Sequence, residues 1–455
     1  MDAIHRPETI SAGQRRFLLA PDPDSVLLED FQALIEQVSA AGVPRVRRPG
    51  PLRILLLGYC GAGNTGADVR TIEIIRQLRR LCAGHELDLS LFACGDIFDH
   101  PVLRSVRRFV PTSAYLPEVL EHEITGFDVV LNVEGSTYTS KFSDALAALL
   151  IGGVGLAGAH GLLACAYGID SGEMTPRLTE FAKHTARQVE IVCRSAGAEQ
   201  RLSELGLTVQ PGADTAWGFR ADEGSRPDLP ERYVALCPNN PYWWPVRTDV
   251  RRAFALDAKG ETSPLRYGPW LFHSWDETRA QRFAAYRQEF VDLAVGLKQQ
   301  GYTPVLVAME VLDRVACEQI AASLPFEVQV LSRATHDLNA VAATLEGAQW
   351  VVTTRYHAAV LALSNRVPVI GISMDTRIDQ LFAENGLADW FFSCDTPGFA
   401  QLALTRIAAT DQSAQATRES LQAVYGVIAA TQIERFAAMG QALLQHMLAR
   451  WPAMA

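Results

Sequence analysis

From residue 50 onward the chain alternates short runs rich in leucine, isoleucine and valine with longer amphipathic stretches, and this alternation restricts its fold more than any other feature. Apolar runs at 54–57, 87–92, 129–133, 162–166 and 191–193 are separated by helix-like segments. A polar, proline-bearing stretch at 218–230 reads as a linker. Further runs follow at 233–237, 303–308, 328–331, 350–353 and 367–372, with helices expected at about 276–300 and 358–364. Repeated βα units build a mostly parallel sheet. Two such sets predict an α/β protein of two Rossmann-like, doubly wound domains facing a cleft, and 455 residues suit two cores better than one. The expected plan is a helical extension over 1–50, a first domain over 51–220, a second over 221–394, and C-terminal helices over 395–455.

Composition removes several classes of function. With 48% hydrophobic and 20% charged residues the chain is an ordinary globular one, far from the disordered class. A formal charge of −10 argues against nucleic acid as a partner, because that affinity draws on clustered Lys and Arg. Eight cysteines are scattered without CxxC or zinc-like spacing, which predicts reduced thiols, no metal and a cytoplasmic setting. The N-terminus lacks the layout of a secretory signal. The uncharged stretch 145–168 is long enough to span a bilayer, yet its glycines and His160 divide it into a helix and a strand. No stable membrane insertion is expected.

Four turns carry candidate chemistry, each at the end of a predicted strand, where open α/β sheets bind ligands. Gly61-Ala62-Gly63-Asn64-Thr65-Gly66 matches G-x-G-x-x-G, but the acid that would hold a ribose is missing from the end of the second strand, and Asp96 comes too late. Gly61, Asn64 and Thr65 therefore read as cleft wall. In Asn132 to Ser140, Glu134 is a candidate base and Gly135 and Ser136 are candidate ligand contacts, with helix capping by Ser140 or Ser143 as the alternative. Arg194 emerges from a buried strand at a helix start, and Asp214, after the next short strand, is placed to orient it; a structural ion pair is the alternative. Arg355, Tyr356 and His357 combine a fixed charge with a titratable group, and in an extended turn Arg355 and His357 point to one side. Aromatics at 242–244, with Tyr267, Trp270, His273 and Trp275, serve either sugar stacking or domain packing.

Taken in order, Gly58 to Asp68, Glu134-Gly135-Ser136, Cys193-Arg194-Ser195, Asp214-Thr215-Ala216 and Arg355-Tyr356-His357-Ala358 resemble the motifs of the polysaccharide pyruvyl transferase family, over roughly residues 52–385. The resemblance implies a fold like that of GT-B glycosyltransferases. It also implies transfer of a pyruvyl unit from phosphoenolpyruvate to two hydroxyls of a saccharide, giving a cyclic ketal and phosphate, with no cofactor. By the same resemblance Arg194 and Arg355 clamp the donor, His357 is the general acid, Glu134 acts on the acceptor side, and Tyr356 and Glu310 contact substrate, with Asp313 a further acid nearby. Asp68 departs from the family pattern in spacing. A nucleotide-sugar glycosyltransferase and a non-catalytic saccharide or anion binder share the same fold, and a homo-oligomer is compatible with all three readings.

Overall fold

A computed structural model of the chain describes residues 12–42, 49–93, 99–109, 116–261, 263, 265–267, 270–412 and 416–451. Cys94 and Asp96 lie outside these residues. Helices α1 (Ala12–Leu19) and α2 (Pro23–Ala41) lead into a sheet of β1 (Leu52–Leu57), β2 (Leu87–Phe92), β3 (Arg107–Phe109), β4 (Val129–Asn132), β5 (Ser136–Tyr138), β6 (Leu163–Ser171), β7 (Glu190–Cys193) and β8 (Gln210–Pro211). Its order is β3-β2-β1-β4-β6-β7-β8, with β5 beside β6 and every pairing parallel. Helices α3 (Thr65–Leu81), α4 (Pro117–Ile124), α5 (Asp144–Ala159), α6 (Pro176–Thr185) and α7 (Ala196–Glu204) belong to this half.

The second sheet holds β9 (Tyr233–Cys237), then, past a small antiparallel sheet of β10 (Arg247–Thr248), β11 (Arg266–Tyr267) and β12 (Trp270–Leu271), β13 (Thr303–Ala308), β14 (Gln329–Ser332), β15 (Trp350–Thr353), β16 (Val369–Ser373) and β17 (Phe391–Ser393). Its order is β14-β13-β9-β15-β16-β17, the doubly wound arrangement in which strand order reverses beside the first strand. Helices α8 (Val250–Lys259), α9 (Glu277–Gln299), α10 (Asp313–Ala321), α11 (Leu338–Glu346), α12 (Tyr356–Ser364), α13 (Thr376–Glu384), α14 (Phe399–Gln412) and α15 (Ala416–Arg450) complete the described chain. Two Rossmann-like domains thus face one another, in the GT-B manner.

The stretch that looked long enough for a bilayer is a helix enclosed by protein. Its glycines admit neighbours that a methyl group would exclude: a Cβ on Gly152 would sit 2.5 Å from the Phe31 ring, and one on Gly153 2.6 Å from Leu57. A helix apolar on all sides is a helix covered on all sides. Among the described residues no helix is long and apolar enough to cross a membrane. The cover comes partly from α2, which lies in the expected helical extension. Its Leu27, Leu28, Phe31 and Ile35 are buried and belong to the same core as α5.

The C-terminal tail also differs from a simple appendage. In α15, Leu421, Tyr425 and Ile428 pack into the core of the second domain, whereas Phe436, Met439, Leu443 and Met447 pack into the core behind β1 and β4 of the first. Gln77 of α3 fixes the crossing, donating to the Phe436 carbonyl at 2.7 Å and accepting from the Tyr167 hydroxyl at 2.6 Å. One core also runs across the domain boundary, joining Val69 and Ile72 of α3 to Tyr356 and Val360 of α12. Because Phe31 is fully buried against α5, Phe31→Ala is expected to lower stability by about 3–5 kcal/mol. Urea unfolding checks this, as a lower midpoint with unchanged slope.

Candidate active site

In each sheet the strand order reverses beside the first strand, between β1 and β4 and between β9 and β15. The loops that leave these strands meet across the domain boundary. They enclose a cleft of about 910 Å³, counted to its open mouth. Asn64, Glu134, Ser136, Glu310, Arg355, Tyr356 and His357, all singled out in the sequence, line it.

The glycine-rich turn joins the two domains. Thr65 N donates to the Met309 carbonyl at 2.9 Å and Val311 N to the Gly63 carbonyl at 3.2 Å, so the turn pairs with the loop after β13. Gly63 has φ 73° and faces Val311, whose side chain a Cβ would meet at 2.5 Å. At Gly66 a Cβ would lie 2.0 Å from His357 Nδ1. Asn64 caps α3 through Ala67 N at 3.1 Å, and Gly61 N donates to Asp68 at 2.9 Å. Asp68, buried, also takes Arg333 Nη1 from the second domain at 2.7 Å. Thr65 is buried beside the cleft and does not line it. These glycines make room for the opposing domain.

Beneath the cleft floor lies Asp214, fully buried. Its Oδ2 accepts from Arg70 Nη1 at 2.6 Å and Arg194 Nη1 at 2.8 Å, and its Oδ1 accepts from Ala216 N at 2.9 Å. Burial alone would raise this carboxyl, but Arg70, then His357 and Arg194, hold it well below the usual carboxylate range. Arg70 also donates to the carbonyls of Val133 and Gly168. Arg194 forks onto Asp170 Oδ2 at 2.9 and 2.7 Å and lies 4.0 Å over the Tyr356 ring. With 1% of its side chain exposed, Arg194 sits below the cleft surface, where the sequence had suggested an arginine facing ligand. Gly135 permits this, since a Cβ there would come 2.6 Å from Arg194 Nη1.

His357 Nε2 is 3.4 Å from Asp214 Oδ2 and makes no hydrogen bond within ordinary geometric limits among the described residues, so the contact is electrostatic. Nδ1 lies against Gly66. Burial lowers the imidazole pKa below 6.5 although Asp214 pulls the other way. Arg355 turns to different partners. Its Nε donates to Asp313 Oδ2 at 2.8 Å, its Nη2 reaches Asp313 Oδ1, and Nη2 stands 2.9 Å from Glu310 Oε2. Burial raises the Asp313 carboxyl to about 6 despite that arginine. The expectation that Arg355 and His357 point to one side is therefore corrected. Arg355 precedes the helix and His357 lies in its first turn, so one meets acids of its own domain and the other an acid of the first domain, although both border the cleft.

The remaining loop residues divide between ligand-facing and structural positions. Glu134 accepts from Ser136 N at 3.1 Å and stays at the cleft surface. Ser143 caps α5 through Leu146 N, Ser140 accepts from Thr175 N, and Thr137 is bonded to Asn132 and the Glu134 carbonyl. Of the aromatic cluster, Trp243, Trp244 and Phe272 pack together, and Trp244 meets Phe142 of the first domain at 5.0 Å; Trp244 still lines the cleft. Sequence reasoning missed Arg70, Asp170 and Arg377. Asp170 is the penultimate residue of β6, and the strand-end rule applied to the other strands would have found it. Arg70 lies on a buried helix face between Val69 and Thr71, an unusual place for an isolated charge. Arg377 lines the cleft and donates to Ser136 Oγ at 3.3 Å while paired to Asp375. Among the described residues no group of three or more His, Cys, Asp or Glu is arranged to hold a metal ion.

A strand-end arginine, a buried aspartate and an arginine–histidine turn recur in a known order. Residues 151–376 match the polysaccharide pyruvyl transferase family model. The pyruvyl transferase match runs from within α5 to the first residue of α13 and contains Arg194, Asp214, Glu310, Asp313, Arg355 and His357. It is narrower than the resemblance read from the motifs, leaving out the glycine turn and Glu134. No match was found among curated proteins. Among solved structures, a putative UDP-N-acetylglucosamine 2-epimerase from Listeria monocytogenes is similar, with a TM-score of 0.55 at 10% identity over 89% of this chain and 98% of that one. S. aureus MnaA with UDP gives 0.51 at 11% identity over 87% and 96%. Anabaena Alr3699/HepE with UDP and glucose gives 0.51 at 11% over 86% and 99%. At these identities the likeness concerns the two-domain fold.

Asp214→Asn leaves two buried guanidiniums short of a charge partner. It is expected to destabilise the protein by about 3 kcal/mol or more, which chemical denaturation would measure; Arg194, still held by Asp170, should keep its position in a structure of the variant.

Proposed function

We propose that the protein transfers a pyruvyl group from phosphoenolpyruvate to two hydroxyls of one saccharide, forming a ketal and releasing phosphate. The observation that carries this reading is the cleft itself: His357 backed by Asp214, beside Arg355 and Arg377, largely within the segment matching the pyruvyl transferase family.

The chemistry asks for a proton on the methylene carbon of the donor, stabilisation of its phosphate and carboxylate, and a base for the sugar hydroxyls. His357, as imidazolium, delivers the first proton, and Asp214 at Nε2 stabilises that charged form and orients the ring. The donor's central carbon then accepts one sugar oxygen. Phosphate departs and the second oxygen closes the ring. The two hydroxyl protons balance the sum, one for the new methyl group and one for the leaving phosphate. Glu134, at the cleft surface, takes the hydroxyl proton.

Arg355 and Arg377 are the guanidiniums that border the cleft, each resting on carboxylates. An anionic donor competes with those acids. The raised pKa of Asp313, about 6, eases the exchange, since a protonated Asp313 releases Arg355 from one of its two acids. Donor binding in this reading draws protons into the site, both to Asp313 and to an imidazole that burial keeps neutral.

A nucleotide-sugar donor is the rival reading, favoured by the UDP bound in two fold neighbours. Product analysis separates them. Phosphate should be released from phosphoenolpyruvate in the presence of saccharide acceptors, with no nucleoside diphosphate from activated sugars; the opposite result rejects pyruvyl transfer. His357→Gln should lower kcat by about 100-fold or more with unchanged thermal stability, and activity near the parent level would reject the general-acid role.

The pH dependence follows from the same groups. Both His357 and Asp313 favour the productive state when protonated, and their pKa values lie below 6.5 and near 6. The ratio kcat/KM is therefore expected to fall as pH rises through about 6, and Asp214→Asn to move that fall to lower pH, because the imidazolium loses its stabilising charge. Initial-rate profiles of both proteins check the order.

A further inference from the structure

On the far side of Phe142 and Arg377 a second groove adjoins the cleft, with a volume of about 1230 Å³ counted to its open mouth. Ser136, Phe142 and Arg377 line both cavities, so a ligand bound in one meets the wall of the other. The groove runs between the loop after β5, the loop between β6 and α6, and the start of α13.

Its chemistry is polar without a surplus of positive charge. Arg377 is bound by Asp375 at 2.7 and 2.8 Å, and Asp170 lies under Arg194. Lys141, largely buried, spends one hydrogen bond on the Met374 carbonyl at 3.5 Å, which leaves ammonium hydrogens for a ligand. The Glu173 side chain is exposed at the rim and supplies acceptors, and Phe142 and Pro245 supply apolar surface. Asp375 and Glu173 match Arg377 and Lys141, and Asp170 is matched by Arg194, so the groove offers no surplus charge to a second anion. Paired donors and acceptors beside apolar patches suit the hydroxyls and CH faces of a neutral sugar.

We infer that this groove is an acceptor subsite, holding the sugar unit next to the one that enters the cleft, so that the acceptor is a neutral oligosaccharide and not a free monosaccharide. The inference rests on the pyruvyl-transfer reading for what happens in the cleft, but the groove's preference for glycans is measurable without any donor. It assigns recognition to Lys141 and Glu173, which lie outside the groups proposed to move protons or hold the donor.

The test is binding of neutral oligosaccharides, on an array and then by calorimetry, each against its terminal monosaccharide. At least one oligosaccharide should bind about tenfold tighter than its monosaccharide. Glu173→Trp, which fills the rim from an exposed position, and Lys141→Met, which keeps the stem and removes the ammonium, should each cancel that advantage and leave monosaccharide binding unchanged. Affinity that ignores chain length, an equal loss for long and short ligands, or no binding at all overturns the inference. Phosphate release with the same glycans reports separately on the chemistry: its absence beside intact length-dependent binding rejects pyruvyl transfer and leaves the subsite standing.

Discussion

The arrangement of the cleft depends on one carboxylate that water does not reach. Asp214 gathers Arg70 from α3, Arg194 from the end of β7 and the edge of His357 from the second domain. A buried guanidinium without a counter-charge is costly, and so is a buried carboxylate without donors, which means that none of these groups is free to move alone. The first turn of α12 is thereby held against the first turn of α3. The two glycines that permit the approach, Gly66 and Gly135, each face one of the side chains that Asp214 binds.

This junction and the paired backbone of the glycine turn tie the two domains together beside the cleft. The resting cleft is electrostatically quiet, because its arginines are matched by aspartates and glutamates. In the proposed reaction an anionic donor binds by exchanging partners with those acids. Desolvation sets how easily that exchange occurs: it keeps the imidazole neutral and lifts the Asp313 carboxyl to about 6, so charge enters the site together with the ligand.

The sheets were legible because parallel strands buried on both faces read as unbroken apolar runs, as in 54–57 and 350–353. The runs at 162–166 and 328–331 also lie on strands, although β6 extends to Ser171 through the polar Asp170, where pairing with β5 outweighs local composition. β5 and β17, of three residues each, carry too little pattern to be seen. Around the cleft, residue types could be read but their partners could not. Arg194, Asp214 and His357 were recognisable at strand ends, whereas the sharing of Asp214 with Arg70 joins residues 144 positions apart, and nothing in local periodicity records such a pairing. The glycine turn was read as cleft wall in spite of its spacing. Its spacing is that of a phosphate loop, yet its open backbone accommodates Val311 and His357 of the other domain.

The strap formed by α15 has a consequence for how the chain reaches this state. The side chains that close the core behind β1 and β4, Phe436, Met439, Leu443 and Met447, belong to the last helix described, after an entire second domain. During synthesis the first domain leaves the ribosome with that face uncovered and remains so until the second has emerged. Vectorial folding of the first domain is thus incomplete by design of the topology. Its final consolidation waits on the emergence of α15, when one helix seals both halves at once.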